Sequence, residues 1–263
     1  MDNKLLSRLK ETRLFVCDMD GTIYLGDEPI KGAAEFATHV KAQGKKLLFF
    51  TNNASRTKDF YKEKLCRLGF GDWDVMTAGD VTANYLNTHH KDKTVYLLGT
   101  AALKGEMQKA GIKLTDTADA DIVVSSFDTE LTYEKLRIAC DALHAGALYL
   151  CTHPDLNCPL NGGGWLPDSG AIAAMVSAAT GKTPKYLGKP YKETAEAIAR
   201  ITNTPAELTA SIGDRLYTDI ALAKNSGMLS LLVLSGETKM CDITAENAPD
   251  LVFDTVYDIC KHI

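Results

Sequence analysis

A chain of 263 residues with a net charge of −5 has too little positive charge to bind a nucleic-acid backbone broadly, and no window reaches the length of a membrane span. Its 45% hydrophobic and 24% charged content is ordinary for a globular protein with room for one large domain or two smaller ones. Seven scattered cysteines, odd in number and without a C-x-x-C pair, fit reduced thiols in a cytoplasmic protein better than a disulfide framework.

In chain order, residues 1–13 predict a short amphipathic helix with Leu5, Leu6 and Leu9 on one face, charged and without the apolar run of a signal peptide. Leu14-Phe15-Val16-Cys17 reads as a buried parallel strand that ends abruptly in Asp18-Met19-Asp20-Gly21-Thr22. Residues 23–30 read as a loop or small hairpin, 32–43 as a helix stopped by Gly44, and 45–50 as a second buried strand ending in Thr51-Asn52-Asn53. A helix over 57–68, a short strand over 75–79 and a helix over 80–88 follow. From about Lys93 a fresh pattern begins, with strands at 95–99, 121–127 and 148–151 and helices at 101–110, 132–145 and 169–180. Between them, 155–168 is rich in Gly, Pro and Asn and is expected to be a loop, because Gly162-Gly163-Gly164 extends a strand poorly. After Gly188-Lys189-Pro190 come a helix at 191–202, a strand at 208–212 ending in Gly213-Asp214-Arg215, a helix opened by Thr218-Asp219, and strands at 229–234 and 250–252. This alternation predicts an α/β fold: a doubly wound, Rossmann-like parallel core with an inserted α/β domain.

Ligands in open α/β sheets sit at the carboxyl ends of strands, and here several strand ends are polar. Asp18 and Asp20, two residues apart, repel each other unless a cation or a proton neutralises part of their charge, and Mg²⁺ does this well. Any one of these residues has a plainer reading. Asp18 alone would be a cap, Thr51 and Asn52 turn residues, Lys189 a surface lysine, and Asp219 a capping or salt-bridge residue. Together, several carboxylates, one lysine and one hydroxyl suit phosphoryl transfer, which needs a nucleophile, an acid and fixed positive charge. Cys17 reads as a small core residue.

The chain resembles the haloacid dehalogenase superfamily. Asp18-Met19-Asp20-Gly21-Thr22, Thr51-Asn52-Asn53, Gly188-Lys189-Pro190 and Gly213-Asp214-Arg215-x-x-Thr218-Asp219 are similar to its four motifs, in order. The large insert between the second and third resembles the NagD-like, nitrophenyl-phosphatase branch. The resemblance implies a catalytic core over 1–79 and 185–263, an α/β cap over 80–184 that chooses the substrate, and Mg²⁺-dependent hydrolysis of small phosphorylated metabolites. In that scheme Asp18 is the nucleophile, and Asp20 is first acid and then base. Mg²⁺ is held by Asp18, the Asp20 carbonyl and Asp214, and Asp219 orients Lys189 or water near the metal. Thr51, Asn52 and Lys189 grip the phosphate. Passing the phosphoryl group to an alcohol, as a phosphotransferase or mutase does, and sensing a metabolite without turnover are the alternative outcomes for these residues. Relatives often dimerise through the cap, so a homodimer belongs to the same expectation.

Cys151-x-His153-x-Asp155-x-x-Cys158 has the composition of a zinc site but lacks the paired-cysteine knuckle, and reads better as a cap loop. In relatives this loop and the segment from Phe127-Asp128 to Tyr133 contact the leaving group, which makes Phe127, Asp128, His153, Asp155 and Cys158 candidate substrate contacts. His153-Pro154-Asp155 replaces the Asn-Pro-Asp common in relatives. His153 reads equally as a leaving-group contact or as a loop histidine satisfied by its neighbours.

Overall fold

Alternating strands and helices build two parallel sheets in the computed structural model, which describes residues 3–159 and 163–263. The chain divides into two compact units. The first comprises the chain up to Thr51, Lys58–Met76 and Lys189–Ile263; the second comprises Asn52–Thr57 and Thr77–Gly188.

The first unit opens with helix α1 (Asn3–Glu11), which buries Leu9, and strand β1 (Leu14–Cys17), buried along its whole length. Strands β2 (Tyr24–Leu25) and β3 (Glu28–Pro29) pair as a small antiparallel hairpin. Helix α2 (Ala33–Ala42) buries Ala33, Phe36, Ala37 and Val40, the i, i+3, i+4, i+7 stripe of a helix lying on a sheet. Strand β4 (Lys46–Thr51), helix α3 (Lys58–Arg67) and strand β5 (Asp74–Thr77) follow. Aromatic edges lock this core: Phe15 meets Phe36 at 6.1 Å between centroids, and Phe49 meets Phe70 at 5.9 Å. Burying each such side chain contributes about 1.5–3 kcal/mol.

In the second unit, helix α4 (Ala78–His89) starts earlier than the expected Asp80. The reason is a capping box: Thr77 accepts from the Asp80 N–H while the Asp80 carboxylate accepts from the Thr77 N–H at 2.9 Å. Strand β6 (Thr94–Leu98), helix α5 (Ala101–Lys109) and strand β7 (Lys113–Thr115) come next; β7 is a three-residue edge strand too short to leave a periodic signal. Strand β8 (Ile122–Ser125), helix α6 (Tyr133–His144) and strand β9 (Leu148–Cys151) complete the alternation. The expected loop over 155–168 is instead an antiparallel hairpin of β10 (Asn157–Pro159) and β11 (Trp165–Pro167), with Cys158 opposite Leu166. The two three-residue strands satisfy each other's backbone groups, and glycine content between them says nothing against that pairing. Part of the glycine run behind the expectation, Gly162, lies outside the described residues. Helix α7 (Ser169–Thr180), capped by Asp168, leads to β12 (Lys185–Tyr186), and this unit's five-stranded sheet has the order β12-β9-β8-β6-β7.

The chain returns to the first unit through helix α8 (Lys192–Thr202) and strand β13 (Thr209–Gly213). A single π-helical turn (Leu216–Ile220) runs into helix α9 (Ala221–Ser226). Strands β14 (Leu229–Val233) and β15 (Leu251–Phe253) and helix α10 (Val256–Ile259) end it. Its six-stranded sheet has the order β15-β14-β13-β1-β4-β5. The strand order therefore reverses at β1, where α/β sheets open a crevice at their carboxyl ends. Among the described residues no helix is long and apolar enough to cross a membrane.

Candidate active site

Register brings the motifs of the first unit together. Cys17 at the end of β1 lies level with Ile212 on β13 and Phe49 on β4, so the residues after these three strands converge. The Asp18 N–H continues the ladder by donating to the Ile212 carbonyl at 2.9 Å. Asp18, Asp214 and Asp219 each present an atom within 4.8 Å of the others. Lys189 reaches the same cluster from the segment before α8. Its Nζ lies 2.5 Å from Asp18 Oδ1 and 2.6 Å from Asp219 Oδ1, with only 4% of its side chain exposed.

Backbone detail makes this convergence possible. A Cβ on Gly213 would overlap the Asp219 carboxyl, so only glycine fits there. The π-helical turn, in which the Ile220 N–H reaches back to the Arg215 carbonyl, carries Asp219 into that space. Thr218 Oγ1 donates to Asp219 Oδ2 at 3.1 Å, and Ser211 Oγ to the Asp219 carbonyl at 3.1 Å. Gly21, with φ 82°, turns the chain after β1; a Cβ there would overlap the Asp214 carboxylate.

The electrostatics follow from burial. Burial pushes the Asp18 carboxyl up; Lys189 opposes this, while Asp219 and Asp214 add to it. Asp214 is pushed up to about 6 by burial and by Asp219, against the Glu237 N–H and Arg215. Burial would lower Lys189, but Asp18 and Asp219 outweigh it and hold the ammonium charged. Asp20 is solvent-exposed at its surface yet raised, first by its low-dielectric surroundings, with Lys64 and Arg215 opposing. Burial, then Asp18 and Asp219, raise the Cys17 thiol, with Lys189 opposing.

Two buried carboxylates and the half-buried Asp18 facing the Lys189 ammonium leave negative charge in excess, and every donor is a hard oxygen. That donor set fits Mg²⁺, which Asp18 and Asp214 would hold. Asp219 is engaged with Lys189 Nζ at 2.6 Å.

The remaining expected residues are placed differently. Thr51 ends β4 beside β1 and is buried. Asn52 belongs to the second unit, where its Nδ2 donates to the Asp155 carboxylate at 3.3 Å. Phe127 is buried, and Asp128 is buried against Lys135 Nζ at 2.9 Å, an ion pair internal to the second unit. His153 is fully buried, with Nδ1 2.9 Å from Thr152 Oγ1 and Nε2 2.9 Å from Asp168 Oδ1. Both ring nitrogens thus have partners within the second unit. Asp155 is half-buried, its carboxylate within 4.8 Å of the His153 and Asp168 groups, and Cys158 is half-exposed on β10. Sequence reading missed Asp168, whose signal was its place just before α7, and the Ser235-Gly236-Glu237-Thr238 segment. Its signal was a polar run after a buried strand, and Glu237 donates its N–H to Asp214 Oδ2 at 2.7 Å.

A family model described as haloacid dehalogenase-like hydrolase matches residues 15–113, and a second, HAD-hydrolase-like, matches 186–259. An acid sugar phosphatase of Staphylococcus aureus is 32% identical over 243 residues, covering 92% of this chain and 93% of that one. The chain belongs to the haloacid dehalogenase superfamily. Solved structures sharpen the placement of this haloacid dehalogenase-type hydrolase. A 4-nitrophenylphosphatase from Thermotoga maritima matches with a TM-score of 0.90 and 40% identity, over 97% of this chain and 98% of that one. A glycerol phosphate phosphatase from Mycobacterium tuberculosis, solved in complex with magnesium, matches with a TM-score of 0.88 and 30% identity, over 96% of this chain and 77% of that one. The protein is an enzyme of the NagD-like phosphatase branch of that superfamily.

Proposed function

We propose that this protein hydrolyses small phosphate monoesters with Mg²⁺, through an aspartyl-phosphate on Asp18. The observation that carries the reading is the buried cluster of Asp18, Asp214 and Asp219 joined by Lys189. Similar phosphatases support it: those proteins are named as an acid sugar phosphatase, a 4-nitrophenylphosphatase and a glycerol phosphate phosphatase.

In the proposed first step, an Asp18 carboxylate oxygen bonds to phosphorus while the ester P–O bond breaks. Asp20, raised toward the protonated form, gives its proton to the departing alkoxide. In the second step the Asp20 carboxylate takes a proton from water, the water oxygen bonds to phosphorus, and the Asp18–phosphorus bond breaks to release phosphate. Lys189 holds Asp18 in place and supplies fixed positive charge beside the equatorial oxygens. The Thr51 hydroxyl and Asn52 N–H are the proposed phosphate contacts. Bound Mg²⁺ would shield the attacking carboxylate from the charge of the phosphate. We assign the catalytic role to the first unit and the choice among esters to the second.

The test is phosphate release from sugar phosphates, glycerol phosphate and 4-nitrophenyl phosphate, with Mg²⁺ or with EDTA, and with an acceptor alcohol to reveal transfer. Asp18→Asn is the blank and should release nothing while remaining folded. Borohydride trapping during turnover should convert residue 18 to homoserine. Full turnover by Asp18→Asn, or turnover undiminished by EDTA, would overturn the mechanism.

A further inference from the structure

The segment after β14 has no place in the mechanism above, yet its polar groups turn back on the residue proposed to hold the metal. The Glu237 N–H donates to Asp214 Oδ2 at 2.7 Å, and the Thr238 N–H donates to the Asp214 carbonyl at 3.2 Å. Gly236 lies flat against the same side chain; a Cβ there would stand 2.8 Å from the Asp214 Cβ and overlap its carboxylate. Ser235 Oγ donates to the Gly21 carbonyl at 2.8 Å, tying the segment to the turn after β1. These bonds account for what the segment touches. What keeps it there is the Glu237 side chain, whose Oε2 lies 3.0 Å from Arg215 Nε and accepts from Tyr217 Oη at 3.2 Å. Arg215 directly follows Asp214, so the contacts close a ring: Asp214 carboxylate, Glu237 N–H, Glu237 carboxylate, Arg215, and back along the chain to Asp214.

We infer that Glu237 is a positioning residue for Asp214. Its carboxylate, held by Arg215 and Tyr217, fixes its own N–H against Asp214 Oδ2 and so fixes the orientation in which Asp214 meets Mg²⁺. The inference rests on the proposed Mg²⁺ site. A carboxylate free to rotate binds a cation less well than one already oriented, and partners that orient metal ligands are typically worth 10–100-fold in affinity. Here the N–H survives truncation of the side chain, so the expected effect is at the low end.

The experiment is calorimetric titration of the purified protein with MgCl₂, beside melting in EDTA, for the wild type, Glu237→Ala, Glu237→Gln and Tyr217→Phe. Glu237→Ala should weaken Mg²⁺ binding about five- to tenfold, and the Mg²⁺ concentration giving half-maximal phosphate release should rise by the same factor. Glu237→Gln keeps an acceptor for Tyr217 but gives up the charge that faces Arg215 Nε, an approach without hydrogen-bond geometry, and should fall between the wild type and Glu237→Ala, as should Tyr217→Phe. Because the Glu237 side chain is 48% exposed, its ion pair adds little to global stability, and Glu237→Ala should melt in EDTA within about 2 °C of the wild type. Unchanged Mg²⁺ affinity in Glu237→Ala overturns the inference, and so does a lowered melting temperature with unchanged affinity, the signature of a purely structural clasp. A wild type that binds no Mg²⁺ overturns the proposed function and this inference with it.

Discussion

Lys189→Met removes the ammonium that touches the carboxylate cluster while keeping an apolar stem of similar length. In the native protein Nζ lies 2.5 Å from Asp18 and 2.6 Å from Asp219, and the three side chains are 4%, 14% and 2% exposed. Removing one partner of a buried ion pair costs about 3–5 kcal/mol, because the remaining charge has lost both water and its counter-ion. For a chain of this size each kcal/mol moves the melting temperature by about 2–4 °C, so a fall of roughly 6–20 °C is expected at pH 7.5 in EDTA. The penalty belongs to the ionised carboxylates. Lys189 is the largest influence lowering Asp18, so without it the Asp18 carboxyl rises further and takes up a proton at higher pH. The loss should therefore shrink as the pH falls toward 5, and Mg²⁺ at pH 7.5 should restore part of it by replacing the missing charge. Phosphate release at saturating Mg²⁺ should fall by roughly 10²–10³-fold, the usual value of one fixed donor at a charged transition state. The assay is scanning fluorimetry over pH 5–8 with EDTA or Mg²⁺, beside a phosphate-release assay. A variant that melts within about 2 °C of the wild type in EDTA at pH 7.5, with no pH dependence of the difference, would refute the claim that Lys189 neutralises the cluster.

Three further outcomes are expected. Asp214 is held at about 6 in the folded protein, above its unfolded value of about 3.9, so its contribution to stability is fully present below the lower value and lost as pH rises through the higher. In EDTA, Asp214→Asn should thus gain about 2–3 kcal/mol on the wild type between pH 4 and 7; chemical denaturation at several pH values measures this, and a constant difference would count against the buried, crowded state of that carboxyl. Gly213→Ala drives a methyl into the Asp219 carboxyl and should cost about 1–3 kcal/mol; near-wild-type melting and turnover would mean that the close packing around Gly213 is unimportant. His153→Ala leaves the buried Asp168 without its imidazole partner and should cost about 1–3 kcal/mol, with Asp18-dependent turnover on 4-nitrophenyl phosphate retained; an unchanged melting temperature would mean that the His153–Asp168 contact contributes nothing to stability.

Much of this protein was legible residue by residue. The runs 14–17 and 47–50 are continuous apolar stretches and 229–233 is broken by Ser230 alone, the mark of parallel strands covered on both faces, whereas 209–213 carries Thr209 and Ser211; three of the four lead into the acids or hydroxyl that the site uses. Strand order was not written locally. That β1 lies between β13 and β4 is a pairing across nearly 200 residues, and it depends on which apolar faces pack best together. The chain's own alphabet thus determined the elements and the residue types at their ends, because side-chain period and backbone freedom act over a few neighbours. Only the tertiary structure decided that the Glu237 N–H meets Asp214, that His153 pairs with Asp168 and Asp128 with Lys135, and that short strands pair on either side of a glycine-rich stretch. Those outcomes rest on distances between segments remote in sequence, and a buried polar group takes whichever partner folding brings within reach.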